Sequence, residues 1–159
     1  MIQSSGLMLY RRTPDGDVEV LIGHMGGPFW AGQYERAWSF PKGIHDQGEH
    51  DHLAVALREF EEEMGAAPPD GPTVELGSVK SGRKKITIFA REGDFDARAA
   101  VSNTFSMEWP RGSGRVQEFP EIDEAAWASV AEARNLLTES QARFLDRLLD
   151  HLRSSDQGS

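Results

Sequence analysis

Within residues 41–65, PKGIHDQGEHDHLAVALREFEEEMG, Glu59, Glu61, Glu62 and Glu63 crowd into one stretch. At about 100° per residue, Glu59, Glu62 and Glu63 stand in an i, i+3, i+4 relation and share one helix face, while Glu61 turns away toward solvent. Carboxylates so spaced repel one another by a few tenths of a kcal/mol per pair, and near a helix C-terminus the macrodipole disfavours them further. Selection for stability alone would not choose this arrangement. A hard divalent cation supplies a reason for it, because Mg²⁺ and Mn²⁺ prefer carboxylate oxygens and bridge to substrate phosphates. The plainer reading of such a run is a solvated acidic face.

Other residues could serve phosphate chemistry. Lys42 and Gly43 lie just ahead of the acidic helix, where a strand gives way to a loop containing Gly48. Arg83, Lys84 and Lys85 form one basic cluster, and Arg111 and Arg115 another; each could reach phosphates or merely solubilise a hairpin. Phe29, Trp30, Trp38 and Trp109 could stack on a base or fill core and rim. From these groups Lys42, Trp30, Arg83 and Lys85 are taken as the substrate contacts. Glu108, Glu118 and Glu121 are candidates for a general base later in the chain. His45, His50 and His52 lack the helical H-x3-H spacing of a zinc site, and no cysteine accompanies them.

The elements that must position these groups follow from apolar periodicity. Residues 4–11 and 18–23 read as strands joined by the turn former TPDG. The glycine- and aromatic-rich stretch after them fits a loop, leading into a short strand from Ala37 to Phe40 that Pro41 ends. From Asp51 to Met64 the period turns helical: Leu53, Ala56, Leu57, Phe60 and Met64 form one apolar stripe, with Asp51 as N-cap and Gly65 as the stop. Strands are expected at 73–80 and 84–90, and a further pair at 104–109 and 115–119 around PRGSG. The C-terminal third reads as two helices, 129–137 and 139–152. The domain is expected over 1–153, with a flexible tail at 154–159. Sheets with helices packed on them define one mixed α/β domain.

Composition narrows the function classes. The chain has 159 residues, 38% of them hydrophobic and 27% charged, which fits one folded domain rather than a disordered chain. A net charge of −9 argues against non-specific binding to nucleic acid or to a membrane surface, both anionic. The absence of cysteine excludes disulfides, thiolate metal sites and a cysteine nucleophile. With no apolar run of about 18 residues, and no basic region leading an apolar core at the start, a cytoplasmic protein is expected.

Gly43, Glu49, Arg58, Glu59, Phe60, Glu62, Glu63, Gly65 and Ala66 together resemble the Nudix box, G-x5-E-x7-R-E-U-x-E-E-x-G-U, where U is apolar. The part from Arg58 to Ala66 matches throughout. Between Glu49 and Arg58, however, eight residues stand where the pattern has seven, and the extra one is placed around His50–His52. The resemblance implies a Nudix-like α/β/α sandwich, with the box helix and the C-terminal helices packed on a mixed sheet. It also implies an Mg²⁺- or Mn²⁺-dependent hydrolase that cleaves a phosphoanhydride in a nucleoside diphosphate-linked small molecule. Glu59, Glu62 and Glu63 would hold the metal, aided by a backbone carbonyl at Lys42 or Gly43. Arg58 would orient the carboxylates, Glu49 and Glu121 would take part in catalysis, and Lys42 would donate to a phosphate. Glu121 is favoured as base because some dinucleoside polyphosphate hydrolases of the family place a glutamate similarly before a tryptophan such as Trp127. Dinucleoside polyphosphates are therefore the favoured substrates; ADP-ribose, nucleotide sugars, nucleoside triphosphates and capped RNA remain alternatives, as does a non-catalytic nucleotide-binding module.

Overall fold

The structure, a computed structural model, describes residues 1–157. Two long strands open the chain, β1 (Ile2–Arg12) and β2 (Val18–Met25), followed by the short β3 (Trp38–Ser39) and β4 (Lys42–Ile44). The helix α1 (His52–Met64) comes next, then β5 (Thr73–Ser81), β6 (Lys84–Glu92), β7 (Thr104–Glu108), β8 (Val116–Pro120) and β9 (Ile122–Ser129). Two helices close the described chain, α2 (Val130–Leu136) and α3 (Glu139–Gln157). Three differences from the periodicity reading stand out. The segment 42–44 returns to extended pairing after Pro41, residues 122–129 form a full strand, and α3 continues through Gln157 rather than fraying at 154. Residues 158 and 159 of the expected tail lie outside the described residues.

The main sheet runs β3-β2-β1-β6-β5, with β4 on β1 and β9 on β2. It is mixed: β1 and β6 are parallel, and the other pairs are antiparallel. On its other edge β1 changes partner along its length, taking β4 at Ser4–Gly6 and β2 at Tyr10–Arg12. This change of partner carries β4 and its Lys42 and Gly43 to the start of β1. The strands β7 and β8 form a separate two-stranded sheet.

Strand alternation sends Leu7 and Leu9 to one face of the sheet and Met8 and Tyr10 to the other. Leu7 and Leu9 pack with Ala56, Phe60 and Met64 of α1. On the opposite face, Met8 joins Phe144, Leu145, Leu148 and Leu152 of α3. Helices thus cover both faces, the α/β/α arrangement expected from the resemblance.

The helix α1 has well-defined ends. The Asp51 side chain accepts a hydrogen bond from the Ala54 amide at 3.1 Å, and Gly65 adopts φ +82° while its amide reaches the Glu61 carbonyl. The carbonyls of Glu62 and Met64, left without helical partners, are met by the amides of Asn103 and Val101 at 2.8 and 3.1 Å. These bonds fasten the acidic end of the helix to the segment that leads into β7.

Candidate functional site

At the end of the sheet where β4, α1 and the start of β6 meet, a cleft of about 330 Å³ is lined by Ser4, Lys42, Gly43, Ile44, Glu59, Glu62, Glu63, Lys84, Asn103 and Glu121. The larger hollow around Arg11, Phe95 and Trp127 contains none of these charged groups. Four carboxylates and two lysines therefore share one small volume in a protein that is acidic overall.

The helix face behaves as its spacing predicts. Glu59 and Glu63 are buried, Glu62 is half-buried and Glu61 is exposed. The same turn that buries Phe60 and Met64 in the core thus carries Glu59 and Glu63 inward beside it. Burial raises the Glu63 carboxyl to about 8, with Glu59 and Glu121 adding repulsion and Lys42 opposing. Burial likewise raises Glu59, and Glu62 adds to the effect while Arg58 opposes it. Lys42 shifts the other way, lowered by burial first and then by Lys84, against the pull of Glu63 and Glu59. For Lys42 and Glu63 the loss of water outweighs their mutual attraction, so each moves toward its neutral form.

Gly43 shows why a side chain is missing at this point. A Cβ there would stand 2.1 Å from the Glu59 carboxyl carbon and 2.2 Å from one of its oxygens. Only glycine lets the β4 backbone lie directly against that carboxylate.

Arg58 stands behind the carboxylates rather than among the cleft-lining residues. Its guanidinium donates to Glu59 at 3.1 Å, Glu62 at 3.0 Å and Glu49 at 2.9 Å. Desolvation works against its charge, but the hydrogen bonds it donates to Glu62 and Glu49 and the fields of Glu59 and Glu62 raise its pKa overall. Glu49 also accepts from the Asp46 amide at 2.7 Å, and this bond leads the causes that lower its carboxyl, with Arg58 assisting against a small desolvation. Despite the extra residue between Glu49 and Arg58, Glu49 still reaches the network. His52, at the start of the helix, instead meets the buried Ser5 hydroxyl at 2.9 Å, opposite His45 at 2.7 Å.

The predicted substrate contacts separate. Lys42 lines the cleft, whereas Trp30 packs against the core on the α3 side of the sheet. Arg83 and Lys85 are exposed and are not among the lining residues; Lys84 between them is. Successive side chains alternate along β6, so the two lysines turn to opposite faces, and Lys84 is the one that meets the cleft. Lys84, Asn103 and Ser4 carry no mark in the sequence that singles them out. Of the three late carboxylates, Glu121 enters the cleft, Glu108 accepts from the Gly112 amide at 2.6 Å, and Glu118 stands exposed on β8.

A divalent cation fits this donor set. A nearly buried carboxyl, Glu63, facing Glu59 and Glu121, with the side-chain-free backbone of Gly43 against Glu59, is a local excess of oxygen donors that a bound cation would relieve. In the observed arrangement Arg58 engages Glu59 and Glu62, and among the described residues no three carboxylate or imidazole groups close into ligand geometry.

The profile of the NUDIX domain family matches residues 5–148. The chain belongs to that family. Comparison with curated proteins gave no match. Among solved structures, the NUDIX domain of Shewanella oneidensis NrtR complexed with ADP ribose is similar, with a TM-score of 0.65 at 14% identity over 96% of this chain and 88% of that one. A C. elegans Ap4A hydrolase binary complex has a TM-score of 0.63 at 19% identity, covering 95% and 98%. A MutT protein from Methanosarcina mazei Go1 has a TM-score of 0.56 at 18% identity, covering 94% of each. At these identities the likeness is one of fold. Among the described residues no helix is long and apolar enough to cross a membrane.

Proposed function

We propose that the protein hydrolyses a phosphoanhydride bond in a nucleoside diphosphate-linked small molecule with the help of Mg²⁺ or Mn²⁺. The observation that carries this reading is the shared cleft, where Glu59, Glu62, Glu63 and Glu121 face Lys42 and Lys84. Glu59, Glu62 and Glu63 would hold the cation, with the Gly43 backbone beside them. Such a metal neutralises a pyrophosphate and makes water more acidic. Lys42 and Lys84 bind the phosphate oxygens from the side opposite the carboxylates. Glu121, which follows β8 and lines the same cleft, would accept a proton from the attacking water. Arg58 and Glu49 act as positioning residues, holding Glu59 and Glu62 in place.

Dinucleoside polyphosphates are the favoured substrates, supported by a glutamate before a tryptophan at Glu121 and Trp127 and by the likeness to an Ap4A hydrolase. A second reading, ADP-ribose or a related nucleotide sugar, draws on the likeness to a NUDIX domain complexed with ADP ribose. Release of phosphate over a nucleotide panel with Mg²⁺ and Mn²⁺, with products identified, decides between them. In the same assay Glu62→Gln should abolish turnover while the fold survives a thermal melt. Unchanged turnover of every cleavable nucleotide would overturn the assignment.

A further inference from the structure

The strands β7 and β8 grow directly out of the cleft. Asn103, just before β7, and Glu121, just after β8, both line it, and the Glu121 amide donates to the Asn103 carbonyl at 2.9 Å. Everything from Thr104 to Pro120 is therefore an arm whose neck is two site residues. The Glu121 carbonyl in turn accepts from Gly26 at 2.9 Å, which draws the loop after β2 against the same neck. A Cβ on Gly26 would lie 1.9 Å from the Pro120 carbonyl oxygen, and one on Gly27 would lie 2.8 Å from the Phe105 ring. Loop and arm are thus fitted to each other without intervening side chains.

Their contact ends in an aromatic and cationic patch. Phe29, 57% exposed, meets Trp109 edge to face with centroids 5.7 Å apart. The Arg111 guanidinium stands 5.9 Å from the Phe29 ring centroid. An exposed phenylalanine beside a half-exposed tryptophan, capped by an arginine, contributes little to a core and leaves ring surface open to a planar ligand. The arm's tip is also braced. Trp109 donates its amide to the Arg115 carbonyl at 2.9 Å, Ser113 to Pro110 at 3.0 Å, and Glu108 takes the Gly112 amide. A planar ligand would meet these rings already in place, with little ordering to offset.

Chain length sets the reach. Three residues separate Phe29 from Gly26, at most about 11 Å. Six residues of nearly extended chain separate Trp109 from Asn103, at most about 20 Å. Both figures are upper limits, and they keep the patch within reach of the far end of a ligand anchored in the cleft.

We propose that Phe29, Trp109 and Arg111 form a subsite for the distal nucleobase of a dinucleoside polyphosphate whose phosphates occupy the cleft. The base stacks on exposed ring surface, and Arg111 attends the adjoining phosphate or ring. This rests on the hydrolase reading and extends it from the bond cleaved to the end of the substrate that is recognised.

The test compares diadenosine tetraphosphate with adenosine tetraphosphate, which keeps the phosphate chain and lacks the second nucleoside. With Mg²⁺ present, Trp109→Ala and Phe29→Ala should each raise KM for the dinucleotide roughly tenfold or more, as loss of an aromatic stacking face implies. The loss should be larger for the dinucleotide than for adenosine tetraphosphate, and Trp109→Phe should recover most of it. Direct binding is followed by the tryptophan fluorescence that diadenosine tetraphosphate quenches in the wild type but not in Trp109→Phe. Turnover of both compounds without dependence on Phe29 or Trp109 overturns the subsite and leaves the hydrolase reading standing. No turnover of any nucleotide, with the Trp109-dependent quench intact, overturns the hydrolase reading and leaves the subsite. Absence of both turnover and quench removes both.

Discussion

The carboxylate cleft and the β7–β8 arm adjoin at Asn103 and Glu121, yet they are built by opposite means. The carboxylates Glu59, Glu62 and Glu63 stand on α1, backed by the core that Phe60 and Met64 enter, with Arg58 bonded to Glu59 and Glu62. The arm has no helix against it. Its strands are mostly exposed, and the Phe105–Phe119 pair and the glycines of the neighbouring loop do most of its packing. Chemistry needs atoms fixed to a fraction of an ångström, which a buried frame provides. Recognition of a distant group needs reach and surface, which a ribbon provides.

The largest expected effect is on the cleft side. Glu63→Gln should lower kcat/KM by more than the roughly 10–100-fold typical of residues that merely support a metal site, while the apo protein keeps or gains thermal stability. Steady-state assays run beside melting curves separate the two effects. Gly43→Ala should come close behind, since the added methyl must displace the Glu59 carboxylate; calorimetric Mn²⁺ binding would show the loss.

Next in size is Lys84→Ala, expected to weaken phosphate binding by about 10–100-fold. Lys85→Ala, one residue away on the other face, should leave the kinetics unchanged. Equal effects at the two positions would mean that lining the cleft does not decide which lysine serves the site.

The apo protein should respond to pH in a stated direction. Because Glu63 is raised to about 8 from an ordinary 4.5, its neutral form is favoured by the fold. That contribution is complete below about pH 4.5 and is lost as pH rises through about 8. Melting temperature should therefore fall across this window and do so less in Glu63→Gln, and added Mg²⁺ should recover more stability at pH 8 than at pH 5.5. Differential scanning calorimetry at several pH values measures this directly.

The smallest global effect belongs to the arm. Phe105→Ala should shift the melting temperature little but speed proteolytic nicking between 104 and 120, because a two-stranded ribbon has little stability of its own. Limited proteolysis with mass spectrometry would show it. A large fall in melting temperature would mean that arm and core unfold together.

The same contrast explains what could be read from the amino-acid order. The helix α1 carried its cap, stripe, stop and acidic face in consecutive residues, so its position and the convergence of Glu59, Glu62 and Glu63 were legible. Glu49 was ambiguous because one added residue separates it from Arg58, and only the folded chain shows that the two side chains still meet. Lys84 was obscured by two like-charged neighbours, and alternation along β6 does not tell which of them meets the cleft. The strand β9 was missed because its acidic start gives no apolar alternation. Asn103 enters the site through backbone bonds to Glu62 and Glu121, which no side-chain pattern announces.

The single hydrogen bond from Glu121 to Asn103 has an evolutionary corollary. Because it closes the neck, the seventeen codons for residues 104–120 form a cassette whose two ends are already joined across the catalytic floor. Lengthening, shortening or replacing that cassette changes what the protein can grasp without moving the atoms that cut. New specificities can then be sampled by indels in one loop-like stretch of gene, leaving the box untouched.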